Sequence, residues 1–387
     1  MPTQVFREDS PLYQVLPDDT PVAPDSDELL TEFRRQMVQY YGSPEAPSMD
    51  VNYHNYAPAL YVARNSDPVH DIIMWNCQNK PDNWDDEVSQ QLSGIHIPAD
   101  MIPDQSLDGS VSIYNEDQDT VTDMWRVRKN DQDQWEACWG GTITNAKESM
   151  GAFDPSFGAS ASGLAQVGYT IRQQELLNGQ INHVLGIGIP EIKLAPAVSW
   201  PASRTDGKHA GVALTMGQRM RLPADLDIAS LNLSPAARAI AQAAQDYGIM
   251  VTETSGSVGL GAENFVGLKE DRYEEIFRGR WATQEMLGDP AQGEGAFPFD
   301  KLEVLPVDYR PPLNNPGPKG PPPTDLPRPT DPTPTPGQPQ PEPTEAPDEG
   351  SESTGLIVAA AVGGLGLLAL IGVAVRFFVI RSRQSGA

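Results

Sequence analysis

A chain of 387 residues with a formal net charge of −26 has room for one large domain or two ordinary ones. Its acidity sets it against nucleic acid and anionic headgroups as partners. Two cysteines are too few for a disulfide scaffold, no Cys/His spacing supports zinc, and the run Asp82, Asp85, Asp86, Glu87 is not a calcium loop; no metal or cofactor is expected.

Residues 1–24 are polar and proline-punctuated, which predicts a flexible arm. A globular β-rich domain is then expected over 25–310. It opens with a helix in which Asp25 and Glu28 form a capping box, and the periodic stretch runs through Tyr41 to stop at Gly42. Strands are expected from Asn52 to Arg64 and from His70 to Cys77. Between Val111 and Thr144, SVSIYNED, TVTDMWRVRK and QWEACWGGTIT alternate, and turn-forming NEDQD and NDQD join them into an antiparallel meander. Alternation assigns Trp135, Ala137 and Trp139 to one face. Cys77 and Cys138 both sit in apolar, strand-like contexts. Outside the cytoplasm they are candidates for one bridge, and two buried free thiols fit the sequence nearly as well.

Thr170 and Gln173 predict a second capping box, with a helix over 171–178 closed by Gly179. QINHVLGIGIP follows as a strand whose Gly186 and Gly188 leave room for something to lie close above it. Ser234 as cap, Pro235 at the first position and Gly248 after Tyr247 delimit another helix. IMVTET reads as a strand, Asp271–Arg278 as a short helix and KLEVLPV as an edge strand. The expected fold is mainly β: an antiparallel β-sandwich or jelly roll with three to four short helices.

Sixteen of the 37 prolines fall between Pro311 and Pro347. Residues 311–355 therefore have little apolar surface to bury and are expected to form an extended Pro/Thr/Glu-rich stalk. Leu356–Val375 is free of charge, and twenty residues at about 1.5 Å each cover about 30 Å, a bilayer core. A transmembrane helix over 356–380 and a basic cytoplasmic tail over 381–387 follow. PDEGSESTG before the span is acidic and RFFVIRSRQ after it is basic, which places the large domain outside. MPTQVFREDSPLYQVLP lacks a positively charged start followed by an apolar run. Either the true start lies upstream, or the chain is tail-anchored with its domain in the cytoplasm.

No nucleophile elbow, P-loop, HExxH or dinucleotide fingerprint occurs in the domain. Trp125, Trp135 and Trp139 are candidates for a sugar-stacking platform, with Gly140 and Gly141 keeping the surface open, and Trp200 is a further candidate for ligand contact. SWPASRTDGKHAG, residues 199–211, is the densest mixture of aromatic, cation, acid and imidazole. Arg204, Asp206 and His209, with His183 on the glycine-bearing strand, are the candidate catalytic set. Proton abstraction beside a uronate carboxylate needs such a combination. Alternation, however, puts His183 on an apolar face with Ile181, Leu185, Ile187 and Ile189.

WGGTIT, GASASGL, GQINHVLGIGIP, SWPASRTDG, the stretch from MRLPADLD to IMVTET, and FPFDKLEVLP resemble a group of actinobacterial exported, cell-surface proteins. The resemblance covers roughly 111–307. It implies a β-sandwich fold and an exported compartment, and it carries no catalytic residue. The proline-rich stalk likewise resembles the wall-spanning stalks of Gram-positive surface proteins. The expectation that follows is a membrane-anchored surface domain that recognises an envelope polysaccharide. The alternatives are a polysaccharide lyase or glycoside hydrolase, and a structural envelope-assembly protein.

Overall fold

The computed structural model describes residues 1–312 except Thr3, Pro155 and Ser156. Two sheets organise it. The larger is mixed and six-stranded, formed by β1 (Asp50–Asn52), β6 (Leu185–Ile189), β7 (Arg219–Arg221), β8 (Ile249–Thr254), β9 (Gly259–Gly261) and β10 (Glu303–Val304) in the order β1-β9-β6-β8-β7-β10. The smaller holds β2 (Ala59–Ala63), β3 (Val111–Asn115), β4 (Thr120–Trp125) and β5 (Trp139–Thr144) in the order β5-β4-β3-β2. Short ribbons pair Ile73–Met74 and Arg128–Lys129 with Trp135–Ala137, and Val69–His70 with Ile95–His96.

The expected meander forms: β3, β4 and β5 pair antiparallel in sequence order. Its third run breaks at Cys138: Trp135 and Ala137 pair in the short ribbon and are buried, while Trp139 starts β5 in the meander's own sheet and stays half-buried. Helix α3 (Pro235–Asp246) begins as its sequence demands, with Ser234 Oγ accepting from the Ala237 N–H at 3.2 Å and Pro235 at the first position.

Other expectations are corrected. Among the described residues helix and strand are nearly equal, 22% and 20%, and the principal sheet is mixed rather than antiparallel. β6 runs parallel to β8, and β1 parallel to β9. A parallel pair needs a long crossover; between β6 and β8 that crossover includes β7 and α3. Parallel strands are covered on both faces, and Leu185, Gly186, Ile187 and Ile249–Thr252 are accordingly buried one after another. The first helix, α1, spans Ser26–Gln39, and Asp25 makes no side-chain cap bond. Helix α2 (Gln173–Asn178) is capped from Arg172, whose N–H donates to Glu175 Oε2 at 2.8 Å, while the Thr170 hydroxyl turns back to the Gln166 carbonyl.

Residues 1–24 are not a loose arm. Val5, Phe6, Leu12, Tyr13, Val15, Leu16 and Ala23 are buried. The Val184 N–H donates to the Leu12 carbonyl at 2.8 Å, Arg219 Nη2 to Pro11 at 2.9 Å, and the Ala23 N–H to Val304 at 2.7 Å. An irregular segment gives no periodic signal even when its apolar side chains are fully enclosed.

All but the first two residues of the expected stalk, together with the expected span and tail, lie outside the described residues. Among the described residues, no helix is long and apolar enough to cross a membrane.

Candidate functional site

The parallel pairing of β6 and β8 carries the ends of both strands to one place on the surface. Their register shifts between Ile187 and Gly188, a bulge of the kind found beside binding sites. Two adjoining cavities open there. One, of about 490 Å³, is lined by Lys80, Trp125, Trp139, Arg204, Asp206 and Glu253 among others. The other, of about 580 Å³, is lined by Asn52, Tyr169, Gly186, Gly188, Thr252 and Ser255 among others. Both share Tyr56, Pro58, Asp108, Gln166, Glu253 and Thr254. They therefore form one groove with Glu253 at the junction of its two lobes.

The aromatic wall comes from the smaller sheet. Trp125 and Trp139 end β4 and start β5 as direct cross-strand partners, the spacing at which side chains on adjacent strands touch. Trp125 Nε1 donates to Asp108 Oδ1 at 3.1 Å. Lys80 Nζ lies 3.2 Å from the Trp139 ring centroid, and Trp84 stacks on Trp139 at 6.1 Å. A cation at a ring face is attracted by the π quadrupole, and burial lowers the affinity of Lys80 for its proton.

Gly140 and Gly141 do not keep this surface open. A Cβ on Gly141 would stand 2.7 Å from Phe157 Cβ and 2.8 Å from Gly158 N. Gly141 instead lets residues 157 and 158 lie against the strand, a Cβ on Gly140 would meet the Asp123 carbonyl at 2.6 Å, and the Gly158 N–H bonds the Gly140 carbonyl at 3.0 Å. Arg204 fixes the same segment from the other side, with Nη2 donating to Gly158 O at 2.9 Å and Nε to Ser160 O at 3.2 Å. Burial lowers the pKa of its guanidinium.

Glu253 near the end of β8 is the polar centre. Its Oε2 accepts from the Ala161 N–H at 2.9 Å, and Oε1 has no hydrogen-bond partner among the described residues. The side chain is partly reached from the groove yet deeply surrounded by protein. Burial pushes its carboxyl up to about 8, against the bond from Ala161, and the nearby charges of Asp206 and Asp108 push the same way. Asp206, exposed at the rim, accepts from Thr254 Oγ1 at 2.5 Å.

Of the residues singled out from sequence, the groove gathers Trp125, Trp139, Arg204 and Asp206. Others lie elsewhere. His183 is 0% exposed and engaged by a buried carboxylate: its Nε2 is 3.0 Å from Glu175 Oε2, and Arg172 Nη1 is 3.0 Å from Glu175 Oε1. His209 Nδ1 sits 2.7 Å from Glu191 Oε2. With Glu32 these two bring ligand atoms within 4.8 Å of one another. Arg35, however, already pairs with Glu32 at 2.6 Å and Glu191 at 2.8 Å, so the charge a metal would neutralise is met. Trp200 is held by Asp308, which accepts from its N–H at 2.8 Å, and carries Arg310 over its ring at 4.8 Å.

Cys77 and Cys138 are joined by a disulfide with Cα atoms 5.6 Å apart. It ties the segment bearing Gln78 and Lys80 to the strand start bearing Trp139. Glu253, Lys80, Asp108 and Tyr56 escape the sequence reading. The one signal for Glu253 is an acid between two threonines at the end of a strand that begins apolar, IMVTET. No family model, curated protein or solved structure matches this chain.

Proposed function

We propose that the groove binds a carbohydrate chain, and that the chain is a membrane-anchored cell-surface protein. The observation that carries the reading is the groove itself. Two lobes of about 490 and 580 Å³ fall in the range of small-molecule sites. They are bordered by the paired indoles of Trp125 and Trp139 and by the hydroxyls, amides and carboxylates of Ser160, Gln166, Thr254, Asp108 and Asp206. Indole faces stack on the apolar faces of sugar rings, while such polar groups exchange hydrogen bonds with ring hydroxyls.

A neutral glycan fits better than a polyuronate. The chain carries a net charge of −26, and three carboxyl groups, Asp108, Asp206 and Glu253, border the groove. The lyase alternative loses support on geometry, because His183 is enclosed away from the groove and Arg204 spends donors on the Gly158 and Ser160 carbonyls. The disulfide supports an oxidising compartment, as do the apolar run Leu356–Val375 and its basic flank.

Retention of the full chain in native gels containing a β-glucan, xylan, mannan, galactan, arabinan or solubilised peptidoglycan glycan tests the reading. At least one is expected to retard the chain, with Trp139→Ala and Trp125→Ala each weakening retention about tenfold or more, which corresponds to about 1.4 kcal/mol. Equal mobility in every gel removes it.

A further inference from the structure

We infer that the groove also hydrolyses the glycan it holds, with Glu253 as proton donor to the leaving oxygen and Asp206 as base for the attacking water. The inference rests on the carbohydrate reading above and adds turnover to it.

Three observations converge. Glu253 belongs to both lobes, so sugars seated on either side put their linkage over its carboxyl. Among the described residues its Oε1 has no hydrogen-bond partner, while Oε2 is fixed by the Ala161 N–H at 2.9 Å, which orients the carboxyl and leaves one oxygen for the ligand. Asp206 is a second carboxyl lining the same lobe, exposed to water and steadied by Thr254 Oγ1 at 2.5 Å. Unlike carboxyl environments divide acid from base in glycoside hydrolysis. Glu253 is the buried member, pushed up to about 8, and therefore carries a proton at neutral pH.

Glu253 transfers that proton to the glycosidic oxygen as its bond to the anomeric carbon breaks. Water adds to the anomeric carbon and gives a proton to Asp206. One water is consumed, two hydroxyl termini form, and the proton on Asp206 returns to Glu253 through solvent. The charged or titratable groups acting on Glu253 include Asp206, Asp108 and Arg204, with Tyr169 beyond them. Asp108 is half-buried and already accepts from the Trp125 indole N–H at 3.1 Å, whereas Asp206 is exposed to water at the rim, which selects Asp206 as the partner.

The test incubates the full chain with whichever polysaccharide retards it in the gels and counts new reducing ends from pH 5 to 9. Cleavage is expected, with kcat falling as pH rises through about 8. Glu253→Gln is expected to lower kcat by about a thousandfold, within the range of general acid catalysis, while retention changes less than threefold. Asp206→Asn, at the exposed rim, tests the base independently of any folding defect at Glu253, with kcat down about a hundredfold and retention, to which Asp206 also contributes, lowered by no more than about fivefold. A retained polysaccharide that is never cut overturns hydrolysis and leaves binding standing; so does undiminished cleavage by both variants overturn the assignment. Absence of retention removes both readings together.

Discussion

Lys80 stands 3.2 Å from the ring centroid of Trp139, and each residue lies within three positions of one half of the Cys77–Cys138 disulfide. The covalent link thus holds together the two elements that form one wall of the groove. Cys77→Ser should loosen the segment bearing Gln78 and Lys80, weakening glycan retention about tenfold. A bridge closing 61 residues also restricts the unfolded chain, and its loss should cost up to about 4 kcal/mol. Retention gels and urea unfolding of the same variant measure both effects. Full retention by a destabilised variant would confine the bridge to a stabilising role.

Asp123 gives a second prediction. It faces Ser112 across the β3–β4 pair, accepting from Ser112 Oγ at 2.5 Å and from the Gln166 N–H at 2.8 Å. Burial pushes its carboxyl up to about 7, and these two bonds only partly oppose the rise. Tyr169 is the titratable neighbour whose own proton is held more tightly in its presence. A folded-state value above the unfolded one means that stability is greatest below about pH 4 and declines as pH rises through about 7. Three units correspond to about 4 kcal/mol at most. Asp123→Asn keeps an acceptor for Gln166 and a polar group for Ser112, so its stability should lack this decline, leaving the slope from Glu253 up to about pH 8. Parallel stability curves for the two proteins between pH 4 and 7 would contradict the assignment.

Gly186 is the third. A Cβ there would meet Tyr169 Cδ2 at 2.2 Å, and both residues line the second lobe. Gly186→Ala must therefore push the Tyr169 ring, at a cost of about 1–3 kcal/mol for an overpacked site, and should reduce retention of long glycans more than of short ones. The comparison of chain lengths in the retention gels decides it: equal losses would mean that the second lobe does not hold sugar.

What was legible in the sequence follows the range of the interactions involved. Ser234, Pro235 and Gly248 delimit α3 because caps act over a few residues, and the β3-β4-β5 meander is written in alternation and short turns. The mixed sheet was not legible. β6 and β8 pair across some sixty residues, and apolar strands covered on both faces resemble one another whatever their partners. The site divides the same way. Trp125, Trp139, Arg204 and Asp206 stand in conspicuous local clusters, whereas Glu253 reaches them only through the parallel pairing that carries β8 beside β6. The glycines of β6 did mark a close approach, with Tyr169 over Gly186 as the covering group. Gly140 and Gly141 are ambiguous in sequence because a tight backbone packing and an open surface both call for a missing side chain.

His183 separates a residue that holds the fold from one that serves the groove. It completes a buried set in which Glu175 faces Arg172 Nη1 and His183 Nε2, each at 3.0 Å. Burial alone would raise the Glu175 carboxyl; the charges of His183 and Arg172, with their hydrogen bonds, outweigh it and hold the group at about 2. A lowered folded-state value gives stability that is present above about pH 4.5 and lost as pH falls through about 2. His183→Ala leaves the carboxylate with one cationic partner. It should destabilise the fold by about 1–3 kcal/mol, as when a buried charged group loses one of its hydrogen bonds, and bring acid unfolding on at a higher pH. The groove is built from other elements, so folded His183→Ala should keep its glycan retention and its turnover. Denaturant unfolding at several pH values, run beside the retention and reducing-end assays, distinguishes the roles. A variant of unchanged stability that had lost turnover would return His183 to the catalytic set.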